Sequence, residues 1–186
     1  MSETILVTGA SAGFGQAICR RLVADGYRVI GSARRIDKLQ ALQEELGEAF
    51  YPLQMDVTDL SQVDHALASL PKAWERVDVL VNNAGLALGL APAYEAEVAD
   101  WLTMIQTNIV GLTYLTRKIL PQMVERNDGY IINLGSTAGT VPYPGANVYG
   151  ASKAFVKQFS LNLRADLAGK KIRVSNIEPG LCEGTE

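Results

Sequence analysis

Six short and almost uninterrupted apolar runs recur along this chain, with amphipathic stretches between them. TILVTGA (4–10) is rich in β-branched residues and ends in glycine. YRVIGSAR (27–34), AFYPLQMDV (49–57), VDVLVNNAG (77–85), YIINLGS (130–136) and KIRVSNIEPG (171–180) repeat the form. A strand that is apolar at successive positions, not at alternate ones, must be covered on both faces, and a parallel sheet meets that condition. The segments 12–26, 36–47, 59–71, about 96–126 and 147–168 carry helical periodicity and supply the covers. In the first of them Ile18, Leu22 and Val23 share a face, Cys19 sits on the packing side, and Gly26 suits the residue past the helix end. Gly111 and Pro121 interrupt the fourth. Right-handed crossovers then predict an α/β fold, a doubly wound parallel sheet in three layers, with ligands at the carboxyl ends of its strands.

With 186 residues the chain is the size of one domain, and no linker, repeat or low-complexity tract divides it. The net charge of -3 and the lack of any long Lys/Arg run argue against nucleic-acid or membrane partners. No apolar run approaches the roughly 18 residues of a membrane span, and MSETILVTGA does not read as a signal peptide. Cys19 and Cys182 lie far apart and fit reduced thiols in a cytoplasmic protein. His65, the only histidine, sits on a polar helix face beside Asp64, so no metal ligand set is expected.

The first run ends in TGASAGFG (8–15), and a helix opens inside it. Gly9 allows a sharp turn, Gly13 lets a pyrophosphate approach the backbone, and Gly15 lets the helix pack against the sheet. A glycine-rich strand-to-helix turn can be only that. At the end of the first strand of a βαβ unit it predicts a Rossmann-type dinucleotide site. The second run ends in Ser32, Ala33, Arg34 and Arg35. No carboxylate stands there to bind a ribose 2′-hydroxyl. Arg34 can pair with a 2′-phosphate through its planar fork, with Ser32 donating a hydrogen bond, which favours NADP(H) over NAD(H). The other reading of Arg34 and Arg35 is a solvated pair opening a loop.

Asn82 and Asn83 close the fourth run, where two amides are costly unless satisfied. Asn108 is set in an apolar helix between Thr107 and Ile109 and calls for a dedicated partner. The helices at 96–126 and 147–168 show apolar residues on more than one face. Trp101, Leu102, Ile105, Ile109, Leu112, Leu115, Ile119 and Leu120 fit no single stripe, and neither do Phe155, Val156, Phe159, Leu161 and Leu163. The surplus predicts a homo-oligomer, a dimer or a tetramer.

Tyr149 and Lys153 are one helical turn apart, with Gly150, Ala151 and Ser152 between them to leave room for cofactor and substrate. Carbonyl reduction needs a proton donor at the nascent alkoxide, and alcohol oxidation needs a base. A free phenol, with a pKa of about 10, is a poor base at neutral pH, and a nearby ammonium favours the phenolate. Ser136, ending the fifth run, can hydrogen-bond the substrate oxygen.

The motifs TGASAGFG, NNAG, Asn108, Ser136 and YGASK, in this order and at strand ends, resemble the short-chain dehydrogenase/reductase family over residues 4–185. The resemblance implies a catalytic set of Asn108, Ser136, Tyr149 and Lys153, with Asn108 perturbing its helix and holding a water in a proton relay; a purely structural amide is the alternative. It implies that NNAG stabilises the sheet and lines the cofactor site. It further implies that Gly9, Ser11, Gly13, Phe14, Gly15, Ser32, Arg34, Arg35, Asp56, Val57, Asn83, Ala84, Gly85, Tyr149, Lys153, Pro179, Gly180 and Thr185 bind NADP(H). Asp56 would meet the adenine amino group, although it suits nearly as well a cap for the following helix. In the family the two apolar helices often build the subunit contact.

NNAGLALGLAPA and GSTAGTVPYPGANVYGASKAFVKQFSLNLR are similar, within that family, to the NADP-dependent 3-hydroxy acid dehydrogenases. These act on serine, L-allo-threonine and related 3-hydroxy acids. Reduction of other small ketones, aldehydes or acyl groups is the alternative, and a non-catalytic NADP sensor is a further one. The resemblance also implies that 1–186 is a single dinucleotide-binding domain, cut before the substrate-covering helices and a seventh strand. Any group gripping the substrate carboxylate would lie in that further part.

Overall fold

Strand β1 (Thr4–Thr8) is buried at every position. Ile5 and Val7 enter one apolar cluster and Leu6 another, because successive side chains of a strand point to opposite faces. In the computed structural model, which describes residues 3–181, β1 is joined by β2 (Arg28–Ala33), β3 (Phe50–Gln54), β4 (Val79–Asn82), β5 (Gly129–Leu134) and β6 (Ile172–Ile177). They form one sheet in the order β3-β2-β1-β4-β5-β6, parallel throughout. The order reverses between β1 and β4, and a crevice at the carboxyl ends of the strands follows from that reversal.

Helices α1 (Gly13–Ala24) and α2 (Ile36–Leu46) cover one face through Cys19, Leu39 and Leu42. Helices α3 (Leu60–Ala68), α5 (Leu112–Arg126) and α6 (Asn147–Asp166) cover the other through Val63, Leu115, Ile119, Met123 and Leu163. Cys19 is wholly buried, and burial pushes its thiol up to about 12, so it is a core group without thiolate chemistry. His65 is exposed. Among the described residues no helix is long and apolar enough to cross a membrane.

The structure corrects several expectations. β3 and β4 stop at Gln54 and Asn82, short of their apolar runs, because the residues beyond leave the ladder to line the crevice. The region 96–126 is α4 (Val98–Ile105), a π-helical segment Gln106–Gly111, and α5. Pro121 lies inside α5 without ending it. Its lost backbone bond is outweighed by the burial of Leu112, Leu115, Ile119 and Met123 on the same helix. The surplus apolar face is narrower than the sequence suggested. Leu112, Leu115, Ile119, Val156 and Leu163 are buried in the chain's own core, whereas Leu102, Ile105, Phe155 and Leu161 are exposed. Thr185 and Cys182 lie outside the described residues.

Candidate active site

The turn after β1 is shaped by two glycines. Gly9 takes φ +69, a conformation that side chains disfavour, and a Cβ at Gly15 would collide with the Gly9 carbonyl oxygen and lie 2.6 Å from Asn83 Nδ2. Helix α1 thus begins against the turn itself and not against the sheet, as its sequence had suggested. Ala12 stands at its N-cap without a side-chain cap, and no acidic residue lies in the first turn. The helix therefore offers its positive end and uncapped N–H groups to an anion.

Thr8 ties this turn to NNAG. Its hydroxyl donates to Val81 O (3.4 Å) and accepts from Asn83 N (3.0 Å) and Ala84 N (2.9 Å), while Asn83 Nδ2 donates to Thr8 O (2.7 Å). Asn82 points into the sheet, where its Nδ2 donates to Thr116 Oγ1 and Asn133 Oδ1, each at 2.9 Å. Asn133 in turn donates to Ser160 Oγ (2.9 Å). Both amides are satisfied, one in each direction.

A crevice of about 450 Å³ runs along this edge, lined by Gly9, Ser11, Gly13, Phe14, Ser32, Arg34, Arg35, Asp56, Val57, Asn83, Ala84 and Gly85 among others. Arg35 lies back over the turn, its Nε and Nη2 donating to Ser11 Oγ (3.3 and 3.1 Å). Ser32 departs from expectation: its hydroxyl is closed to solvent and has no partner among the described residues. An orphaned hydroxyl, two arginines lining the same crevice and an uncapped helix end make a donor set that fits a phosphate-bearing dinucleotide. Asp56 does not cap α3. Asp59 does so, accepting from Gln62 N (3.0 Å), whereas Asp56 Oδ1 accepts from Thr58 N (2.9 Å) and Thr58 Oγ1 (2.8 Å) and faces the crevice. Thr58, Leu86 and Thr107 also line it, and their side chains carry no signal in sequence that singles them out.

A second cleft of about 420 Å³ continues past Phe14, Asn83 and Gly85 to Ser136, Tyr149, Lys153, Pro179 and Gly180. Ser136 Oγ accepts from Ala138 N (3.1 Å), which leaves its own proton uncommitted among the described residues. Tyr149 makes no side-chain hydrogen bond among them. Lys153 is buried, 7% exposed, and its Nζ donates to Leu134 O (2.8 Å) at 5.8 Å from the centroid of the Tyr149 ring. Burial pushes its pKa down to about 8.

Between Tyr149 and Lys153, Gly150 and Ser152 are buried and serve packing, Ala151 is exposed, and none of the three lines the cleft. A Cβ at Gly150 would lie 2.8 Å from Ala138 O, and one at Gly139 would lie 2.7 Å from the backbone of Lys153. This reciprocal contact presses the loop carrying Ser136 onto the turn of α6 carrying Tyr149. Ser152 donates to Tyr149 O (2.7 Å) and accepts from Asn108 Nδ2 (3.0 Å). Asn108 lies in the π-helical segment, a common mark of functional helices. Its amide also takes both backbone groups of Leu86: Nδ2 donates to Leu86 O and Oδ1 accepts from Leu86 N, each at 2.9 Å. Both amide hydrogens are thereby committed to the chain itself.

Residues 3–186 match the family model described as short chain dehydrogenase. The chain belongs to the short-chain dehydrogenase family. A serine 3-dehydrogenase of Agrobacterium fabrum is 53% identical over 98% of this short-chain dehydrogenase and 73% of its own length. An NADP-dependent 3-hydroxy acid dehydrogenase of Salmonella typhi is 61% identical, with the same coverage. The closed form of a serine dehydrogenase complexed with NADP+ superposes with a TM-score of 0.95 at 59% identity, covering 96% of this chain and 72% of that one. These likenesses make the chain an oxidoreductase with the Rossmann-type sheet described above.

Proposed function

We propose that this short-chain dehydrogenase moves hydride between NADP(H) and the carbinol carbon of a small 3-hydroxy acid such as serine or L-allo-threonine. The observation that carries the reading is the junction of the two clefts at Phe14, Asn83 and Gly85, which sets a phosphate-cradling crevice end to end with the Tyr149 cleft. NADP+ accepts the hydride when bound, and NADPH supplies it in reverse. Tyr149 takes the proton from the substrate hydroxyl in oxidation and returns it in reduction. Ser136 donates its free proton to the substrate oxygen, and Lys153 holds an ammonium beside the phenol. Asn108 braces the Tyr149 turn through Ser152 and gives the proton relay its fixed wall.

The names of the relatives support the acid substrate and NADP(H). A cytoplasmic location fits the same reading. The exposed Leu102 and Ile105, with Val98 on α4 and Phe155 and Leu161 on α6, fit a homo-oligomeric contact, either a dimer or a tetramer. The test is turnover of serine, L-allo-threonine and 3-hydroxyisobutyrate against neutral alcohols and ketones with NADP(H). Preference for the acids is expected. Among the described residues, Lys153 is the one charged side chain lining the Tyr149 cleft, and equal turnover of neutral substrates would replace the acid reading with a general carbonyl reductase.

Cofactor choice is tested separately. Arg34→Asp introduces a carboxylate where Arg34 and Arg35 flank the crevice and removes one charge-assisted partner of a 2′-phosphate. The NADPH dissociation constant rises about 10- to 100-fold, while that of NADH changes little or falls. Equal weakening of both cofactors would show that Arg34 does not read the phosphate.

A further inference from the structure

One wall of the Tyr149 cleft is the irregular segment 86–88, continuing to 91 without regular structure. It is held from outside by side chains of two helices. Asn108 takes both backbone groups of Leu86, and Leu88 N donates to Met104 Sδ (3.4 Å). At its far end Asn147 Nδ2 donates to Ala91 O (3.1 Å), and the Leu90 carbonyl fills the space where a Cβ of Gly145 would go. Asn147 Oδ1 accepts from Trp101 Nε1 (3.1 Å) and from Val148 N (2.8 Å). One amide therefore joins the segment that continues from the cleft wall, α4 and the first turn of α6, two residues before Tyr149.

We infer that Asn147 is a positioning residue that sets the gap between the 86–91 wall and the Tyr149 hydroxyl, and so the bulk of substrate admitted. The inference rests on the assignment of Tyr149 as the proton-transfer group of this cleft. Asn108 fixes the near end of the wall to the C-terminal side of Tyr149 through Ser152, and Asn147 fixes the far end to its N-terminal side. With both ends tied to the same helical turn, the wall keeps a set distance from the phenol. Releasing the far end frees Leu88, which lines the Tyr149 cleft and not the cofactor crevice, while Leu86, which lines both, stays held by Asn108 and the crevice keeps its shape. Selectivity for bulk should then change without a change in cofactor affinity.

Three variants separate the contacts. Asn147→Asp keeps both acceptor contacts and loses only the donor to Ala91 O. Asn147→Ala loses all of them without adding charge. Trp101→Phe removes the indole donor and leaves the Ala91 tether in place. The readout is the ratio of kcat/KM for L-allo-threonine over serine, and for a branched over a small neutral ketone, alongside the NADPH Kd and Tm. Asn147→Asp and Asn147→Ala are expected to shift both ratios toward the bulkier member by about fivefold, mainly through KM, as loss of one hydrogen bond implies. The NADPH Kd stays within about twofold in these variants, and Trp101→Phe lowers Tm without moving the ratios.

Unchanged ratios with a lowered Tm in both Asn147 variants would reduce the residue to a structural one and overturn the inference. An equal shift in Trp101→Phe would also overturn it. A wild-type enzyme inactive on both acids overturns the substrate reading alone, because the neutral pair still reports the wall and a shift there still supports Asn147.

Discussion

Replacing Tyr149 by phenylalanine lowers kcat by on the order of 10³-fold while the NADPH dissociation constant stays within about twofold. The variant removes one oxygen and leaves the ring, so the packing of α6 against the loop at Gly139 is preserved. Among the described residues that oxygen is the only tyrosyl hydroxyl lining the cleft, and no described side chain holds it in a structural bond. The phenylalanine therefore costs little stability, and the loss is confined to proton transfer. Single-turnover measurement of NADPH oxidation with saturating ketone isolates that step. A rate near that of the wild type would remove Tyr149 from the chemistry and point to Ser136 or to solvent as the proton source.

Changing Lys153 to methionine separates catalysis from stability. Turnover falls by about 10²–10³-fold, since the ammonium beside the phenol is lost. Stability follows the protonation difference between folded and unfolded chains. The folded pKa lies at about 8 and the ordinary value at 10.5. Above 10.5 the amine is neutral in both states. As the pH falls toward about 8 the unfolded chain takes up its proton first, and the wild type loses about 3 kcal/mol of stability across that window, from 2.5 pH units. Methionine has no such dependence, but it leaves Leu134 O without its donor, at a cost of about 1–3 kcal/mol. At pH 7 the two effects nearly offset and the melting temperatures lie close together. By pH 10 the wild type is ahead. Denaturation curves at intervals from pH 7 to 10 measure the gap, and parallel curves would show that burial does not depress this lysine.

Much of the crevice could be read directly from the sequence. The apolar runs required a doubly covered parallel sheet, the glycines, Asn82, Asn83 and Ser136 stood at the ends of those runs, where such a sheet places ligands, and Tyr149 and Lys153 stood one turn apart on the helix that follows the fifth run. Gly9 could be read because a left-handed turn leaves a residue-type signature, and Cys19 because helical periodicity put it on a packing face. Errors arose where one residue type serves two environments. The leucines and isoleucines of α5 looked like a subunit face but are the chain's own core, since periodicity reports burial without saying what does the burying. Asp56 suited both an adenine contact and a helix cap, and only the backbone path gave the cap bond to Asp59 and left Asp56 facing the crevice.

The amino-acid order alone determined the layer architecture, the strand that begins the nucleotide cradle and the tyrosine–lysine pair, because each depends on local spacing or on the hydrophobic pattern of single segments. Only the tertiary structure decided what surrounds that pair. Gly150 meets Ala138 across 12 positions of sequence, Asn108 reaches Ser152 across 44, and Asn147 reaches Ala91 across 56. Contacts of that range exist only once the sheet has brought distant loops to one edge, and no spacing rule within a helix or strand encodes them.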